Sequence, residues 1–133
     1  MKQLFCVLAL LALLGAIFFP TFTRARYRTP YGGCKSNLKN IGTAMEMYAT
    51  DWDEHYPRNL EMLVPKYLKS IPVCVVAGYQ TYRLQTGKNC AYNTGSVPFE
   101  DYYFVECTGD HHSKAGLPRN YPQYDGIQGL IER

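Results

Sequence analysis

The sequence predicts an α+β fold: a long N-terminal apolar helix, a Pro/Gly break, and a second amphipathic helix packed on a small antiparallel sheet. Three observations predict it. Residues 4–19 carry no charged side chain. Apolar residues recur every three or four positions between 38 and 52, as on one face of a helix. Short Tyr-rich runs at 79–84 and 102–107, with a looser one at 90–93, have the composition of strands.

The N-terminal segment Leu4–Phe22 would reach roughly 28 Å as a helix, close to the hydrocarbon thickness of a bilayer. It fits a cleaved secretory signal, a permanent membrane anchor, or a helix that leaves the membrane to pack against copies of itself. The absence of a small-x-small pattern before Thr21 disfavours the signal. In the third interpretation the assembly positions are Gln3, Leu4, Leu8, Leu11, Leu14, Ile17, Phe18, Pro20 and Phe22.

Two features disagree about the side of the membrane on which the head lies. The three arginines at 24, 26 and 28 outweigh Lys2 and favour a cytoplasmic head. Four cysteines spread through a short domain are more typical of an oxidising compartment. Because so small a domain gains much from cross-links, we give the cysteines more weight and predict an extracytoplasmic head.

A joint is predicted at residues 29–33. Pro30 biases Thr29 away from helical geometry, and Gly32 and Gly33 add flexibility, so Pro30, Gly32 and Gly33 form the predicted hinge. The chain then divides into an apolar helix at 1–28, the hinge at 29–33 and a globular head at 34–133.

A second helix is predicted to restart near Cys34 or Ser36 and to pack its apolar stripe on the sheet. After it, Asn59 is a good N-cap for a short helix that ends before Pro65. The tail from Gly109 is expected to be an ordered loop with at most a short final strand. The predicted stripe consists of Leu38, Ile41, Met45, Tyr48 and Trp52.

The four head cysteines allow three disulfide pairings. We predict Cys74–Cys107 and Cys34–Cys90, because Cys107 ends a strand and Cys74 follows Ile71-Pro72. Each bridge would contribute roughly 3–4 kcal/mol. Cys6 is expected to be a small apolar residue of the N-terminal helix.

No catalytic, metal or cofactor site is predicted. Asp110-His111-His112 is the densest polar cluster, but adjacent histidines on a strand point in different directions and would need a special turn to share one ion. No nucleophile elbow, phosphate-binding glycine loop or Cys-x-x-Cys motif occurs. The net charge of +3, without a long basic run, gives no indication of nucleic-acid binding. We therefore predict that the protein is not an enzyme.

Several blocks resemble one family. The run Leu14-Gly15-Ala16-Ile17-Phe18-Phe19-Pro20-Thr21-Phe22-Thr23-Arg24-Ala25-Arg26 looks like the end of the N-terminal helix of type IV pilin-like proteins. Cys34-Lys35-Ser36-Asn37-Leu38-Lys39-Asn40-Ile41-Gly42 and Met47-Tyr48-Ala49-Thr50-Asp51-Trp52-Asp53-Glu54-His55-Tyr56-Pro57 are similar to the same branch. The order that follows is similar to that of type II secretion major pseudopilins.

The chain also departs from that family. The prepilin leader, with Gly followed by Phe-Thr-Leu-Ile-Glu, does not precede these residues, and Gln3 stands where the family has its assembly glutamate. We therefore expect either a different gene start or a different mode of assembly. Of the calcium loop that such pseudopilins carry after the strand, only Asp110 matches, so calcium is not predicted.

The resemblance implies a structural subunit of an extracellular, pilus-like filament on the cell surface. Its partners would be copies of itself, the inner membrane before assembly, and pilus or type II secretion-like assembly machinery. The twelve tyrosines suit partly wet contacts between subunits. The alternative is a monomeric, membrane-anchored extracytoplasmic binding domain.

Overall fold

The computed structural model describes residues 2–87 and 102–131, without the side chains of residues 2, 5 and 18–28. A single helix, α1, runs from Lys2 to Asp51. Short 3-10 helices lie at Leu60–Leu63 and Ser113–Ala115. The strands are β1 (Tyr82–Thr86), β2 (Tyr103–Cys107), β3 (Gln123–Asp125) and β4 (Gly129–Ile131).

The four strands form one antiparallel sheet in the order β1-β2-β3-β4. In the β1–β2 pair, Tyr82 lies opposite Cys107 and Thr86 opposite Tyr103. In the β2–β3 pair, Phe104 lies opposite Asp125. Strand β2 is therefore central, and all five of its residues are buried. This places Cys107 at the end of the best-buried strand of the head.

The core lies between the sheet and the C-terminal part of α1. Alternate side chains of β2, from Tyr103, Val105 and Cys107, meet the helix, as the two-residue period of a strand requires. The predicted helical stripe supplies the other half of the core, with one exception: Trp52 is 55% exposed and stacks on Tyr48. The helix residues of the core are Cys34, Leu38, Ile41, Ala44, Met45 and Tyr48.

The predicted break at residues 29–33 is wrong, because α1 continues through all five positions. Pro30 removes one backbone hydrogen bond from the helix interior. Burial of Tyr31 and Cys34 directly after it opposes that cost. Gly33 has a packing role instead, since an added Cβ would lie 2.8 Å from a methyl carbon of Val75. The glycine allows the loop of residues 73–79 to approach the helix.

The prediction of a separate, long apolar helix is therefore wrong as well. The structure has one 50-residue helix whose N-terminal part is apolar and whose C-terminal part is amphipathic. Among the residues that the structure describes, no helix has both the length and the apolar character needed to cross a membrane.

The prediction of a disulfide-stapled head is also wrong. Cys34, Cys74 and Cys107 are free and buried. The Sγ atoms of Cys34 and Cys74 are 3.2 Å apart, well beyond the length of about 2.05 Å for a sulfur–sulfur bond. Cys90 lies outside the described residues, and so does the strand expected at 90–93.

The segment after α1 is fixed by polar contacts. Asn59 caps the 3-10 helix as predicted, its side chain accepting a hydrogen bond from the Met62 backbone N–H at 3.2 Å. Asp51, at the end of α1, accepts hydrogen bonds from Lys66 at 2.7 Å and from the Tyr67 hydroxyl at 2.8 Å. These bonds offset the unfavourable position of a carboxylate at a helix C-terminus.

Candidate metal centre and exposed segment of helix α1

Four metal-ligating side chains converge at one end of the head: Cys74, Cys107, His111 and His112. Cys74 lies in the loop before β1, Cys107 is the last residue of β2, and the histidines form the turn that enters the 3-10 helix Ser113–Ala115. Their four possible ligand atoms all lie within 4.8 Å of one another. We call these four residues the Cys/His cluster.

Three of the six distances between ligand atoms of the Cys/His cluster match those of a tetrahedral site. With Zn–S near 2.3 Å and Zn–N near 2.05 Å, ligand sulfur and nitrogen atoms of a tetrahedral zinc lie about 3.6 Å apart. Cys107 Sγ is 3.4 Å from His112 Nε2 and 3.5 Å from His111 Nε2. Cys74 Sγ is 3.7 Å from His112 Nε2. The three distances bracket the tetrahedral value, so one ion would fit between these atoms.

A tight turn presents the sulfur of Cys74. The Cys74 carbonyl accepts a hydrogen bond from the Gly78 N–H at 2.8 Å, and Gly78 has φ +77°. The Ala77 backbone N–H points at Cys74 Sγ, with the nitrogen 3.5 Å from the sulfur. A backbone donor in this position stabilises a thiolate, the form in which cysteine binds a metal.

Cys107 is held by the sheet and by Thr81. The Thr108 N–H donates to the Thr81 carbonyl at 2.9 Å, which extends the β1–β2 pairing by one step. The Thr81 hydroxyl, itself buried, lies 3.1 Å from Cys107 Sγ. The second sulfur of the Cys/His cluster therefore also has a polar group that can donate to a thiolate.

His111 reaches the Cys/His cluster because residue 109 is glycine. An added Cβ at Gly109 would lie 2.5–2.7 Å from two atoms of the His111 ring, and Gly109 has φ +113°. Both facts exclude a side chain at position 109. The loop is closed by Gly109 and Asn120, whose backbone and side-chain groups exchange hydrogen bonds of 2.7 and 2.9 Å.

His112 is 2% exposed and packs edge-to-face with Tyr31, with the ring centroids 5.6 Å apart. Its Nε2 faces the two sulfurs, and its buried Nδ1 has no hydrogen-bond partner among the described residues. Neutral imidazole is a donor at one nitrogen and an acceptor at the other. The polar contacts that the structure shows for this ring are made by Nε2, the atom that points into the Cys/His cluster.

Cys34 of α1 adds a third buried sulfur, adjacent to the Cys/His cluster through its 3.2 Å contact with Cys74. A hydrogen bond from Cys107 lowers the pKa of Cys34. Burial raises the pKa of Cys74. The hydrogen bond to Cys34 raises the pKa of Cys107, which donates it. Burial also lowers the pKa of His111, which favours its neutral, ligating form.

The structure brings together three of the four cysteines that we assigned to disulfides, but as free thiols beside two histidines. The two adjacent histidines lie in a turn, which is the special geometry that neighbouring residues need to bind one metal ion. Asp110 is exposed and lies outside the Cys/His cluster. The sequence signal for the site is the spacing Cys107-x-x-x-His111-His112. The predicted Cys74–Cys107 disulfide uses both cysteines and therefore conceals this signal.

The predicted assembly positions lie in α1, N-terminal to the part of the helix that packs on the sheet. Every described side chain from Gln3 to Ile17 is exposed, and the large apolar ones are exposed by 50–65%. The first buried residue of the described part of α1 is Tyr31. Side chains of Phe18, Pro20 and Phe22 lie outside the described set. We call residues 3–17 the exposed segment; its large apolar residues are Leu4, Val7, Leu8, Leu10, Leu11, Leu13, Leu14 and Ile17.

No protein-family model, no curated protein and no solved structure matches this chain.

Proposed function

We propose that this protein is a structural subunit that assembles with copies of itself through the exposed segment of α1, forming a pilus-like filament. The observation that carries the proposal is the exposure of eight large apolar side chains on consecutive helical turns. Contiguous apolar surface of this kind marks an interaction site.

The distribution of these side chains favours a bundle over a single groove. The large apolar side chains of the exposed segment spread over more than half of the helix circumference, since successive residues of a helix are rotated by about 100°. The remaining side is also apolar, with the exposed residues Ala9, Ala12 and Ala16. A helix that is apolar on all sides is covered when several neighbours surround it. The exposed segments of other copies have the same composition and length, so a self-assembled bundle satisfies this requirement without a second type of partner.

The position of the head is compatible with such a bundle. At about 1.5 Å per residue, the helix rises roughly 40 Å between Leu4 and Tyr31, the first buried residue among the described side chains of α1. Helices can therefore pack along an axis before the heads come into contact. The unbroken backbone of α1 joins the exposed segment to the head without a joint.

Gln3 is the polar residue of this surface, and it is exposed. Its amide can both donate and accept hydrogen bonds across a helix–helix contact. A neutral amide is also less costly to bury than an unpaired carboxylate. The resemblance to pilin-like proteins adds an extracellular location and an assembly machinery to the proposal, and these stay predictions.

The test compares Leu8→Arg with Met47→Arg. Leu8 is 55% exposed on the exposed segment, and Met47 is 50% exposed on the same helix beside the head, so the two substitutions match in chemistry and exposure. An unpaired charge inside an apolar bundle costs several kcal/mol. We expect sedimentation and negative-stain microscopy to show polymers for the wild type and Met47→Arg, and none for Leu8→Arg.

Fluorescence of Trp52, the sole tryptophan, reports in parallel whether the head is folded. Polymers of Leu8→Arg indistinguishable from the wild type would overturn the proposal. A wild-type chain that stays monomeric without detergent would overturn it too, and would favour the binding-domain alternative.

A further inference from the structure

We propose that the head carries a structural zinc site in which Cys74, Cys107, His111 and His112 bind one Zn²⁺ ion. The inference is independent of the filament proposal, since it concerns side chains of the head and none of the exposed segment. It rests on the convergence of four ligand atoms within 4.8 Å and on the three sulfur–nitrogen distances of 3.4, 3.5 and 3.7 Å.

The donor set selects the ion. Two sulfurs and two imidazole nitrogens in a tetrahedral arrangement are typical of zinc, whereas calcium and magnesium require oxygen ligands. On binding, each of the two thiols releases its proton to solvent, and each sulfur forms a bond to the metal as a thiolate. The positive ion then neutralises charge that burial would otherwise disfavour.

The metal ligands come from three separate parts of the chain, and neighbouring groups hold them in position. Ala77 N–H and the Thr81 hydroxyl point at the two sulfurs, at 3.5 and 3.1 Å. The absence of a side chain at Gly109 makes the space that the His111 ring occupies. Hydrogen bonds to ligand sulfurs and packing around ligand rings are the outer contacts that tune metal sites.

Cys34 could in principle replace one of the histidines as the fourth ligand, but its distance from Cys74 argues against this. Two sulfurs bound to one tetrahedral zinc lie about 3.8 Å apart, whereas Cys34 and Cys74 Sγ are 3.2 Å apart. That contact fits a thiol that hydrogen-bonds to the sulfur of Cys74. We therefore assign Cys34 a positioning role beside the site.

The site would have a structural role. Four protein ligands complete the tetrahedron and leave no position for a substrate or an activated water, in contrast to a catalytic zinc. The ion would connect the loop that carries Cys74, the end of β2 and the turn that carries His111 and His112. It would thus supply the cross-link that a head of this size needs and that we assigned to disulfides.

The test uses the full chain purified in detergent under reducing conditions, loaded with Zn²⁺ or with Co²⁺ as a spectroscopic probe. Elemental analysis should give one zinc per chain for the wild type and for two matched controls, His55→Gln and Cys6→Ser, which alter the third histidine and an exposed cysteine. Cys107→Ser, His111→Gln and His112→Gln should lose the bound metal. Cys34→Ser should retain it.

A gain-of-signal variant separates loss of a ligand from loss of the fold. His111→Cys should still bind one Co²⁺ per chain, with thiolate-to-cobalt charge-transfer intensity raised in the proportion of three thiolates to two. Ligand-field bands in the visible region should show tetrahedral Co²⁺ in both proteins.

Four results would overturn the proposal. One is a folded wild type that binds neither Zn²⁺ nor Co²⁺. Another is bound iron in place of zinc. A third is loss of metal in Cys34→Ser with retention in His111→Gln, which would replace the ligand set. The fourth is a Cys34–Cys74 disulfide in protein purified without reductant, seen by peptide mapping and as a mass lower by two hydrogen atoms.

Discussion

The two ends of helix α1 both carry large apolar side chains but place them in opposite environments. Leu10 and Leu38 are both leucines of one continuous helix, yet Leu10 is 63% exposed and Leu38 is completely buried. The C-terminal part of α1 has a sheet against which its apolar stripe packs, whereas no described part of the chain covers the exposed segment. An apolar residue of a helix is therefore buried only where another element of the fold, such as the sheet, packs against it.

The largest difference between the ends should appear on truncation of a leucine. Leu38→Ala should lower the free energy of unfolding by about 2–5 kcal/mol, because it opens a cavity under the sheet. Leu10→Ala should change it by less than about 0.5 kcal/mol. Urea unfolding in detergent, followed by Trp52 fluorescence, measures both. Equal losses would show that the exposed segment belongs to the cooperative unit of the head.

The core of the head could be predicted from periodicity, since Leu38, Ile41, Met45 and Tyr48 are all buried. The strand run at 102–107 corresponds to β2, and Asn59 caps as expected. These features are local, because side-chain spacing and cap chemistry act within a few residues. Trp52 continues the stripe but lies beyond the end of α1, where it is 55% exposed to solvent among the described residues.

The Cys/His cluster could not be predicted in the same way. Cys74 and His112 are 38 residues apart, and their contact depends on the turn at residues 110–112 and on the pairing of β1 with β2. The same cysteine pattern is compatible with bridges and with metal ligands, and composition does not distinguish them. The predicted break at 29–33 is wrong for a related reason. The glycine at position 33 is explained by close packing against Val75, which is distant in sequence.

A smaller difference between the ends should appear on addition of a methyl group. At Gly42 an added Cβ would lie 2.5 Å from ring carbons of Tyr124, whereas at Gly15 it would meet nothing within 4 Å. Gly42→Ala should therefore destabilise the head by about 1–3 kcal/mol through overpacking. Gly15→Ala should leave the unfolding of the head unchanged and raise helicity.

Chemical denaturation and far-ultraviolet circular dichroism measure these two effects. A Gly42→Ala protein as stable as the wild type would mean that Tyr124 does not pack closely on the helix.

The smallest effect concerns the end of α1 itself. Hydrogen bonds from Lys66 and then Tyr67 lower the pKa of Asp51, so their stabilising contribution is present above the ordinary carboxyl range and is lost as pH falls through the lowered pKa. Lys66→Met should reduce stability slightly at neutral pH, because both side chains are exposed.

The difference between Lys66→Met and the wild type should disappear in acid. Thermal unfolding at a series of pH values tests this, with Lys69→Met as a control at an exposed neighbouring lysine. A loss of stability in Lys66→Met that grows as the pH falls would contradict the predicted direction of the pH dependence.

The most direct test of the account is electron cryo-microscopy of the polymer formed by the full chain. We predict a helical assembly in which residues 4–17 of neighbouring subunits pack together at the axis, with the heads outside and Gln3 in a contact between helices. An assembly held by head–head contacts alone, with residues 4–17 facing solvent, would contradict the claim that the exposed segment of α1 is the assembly surface.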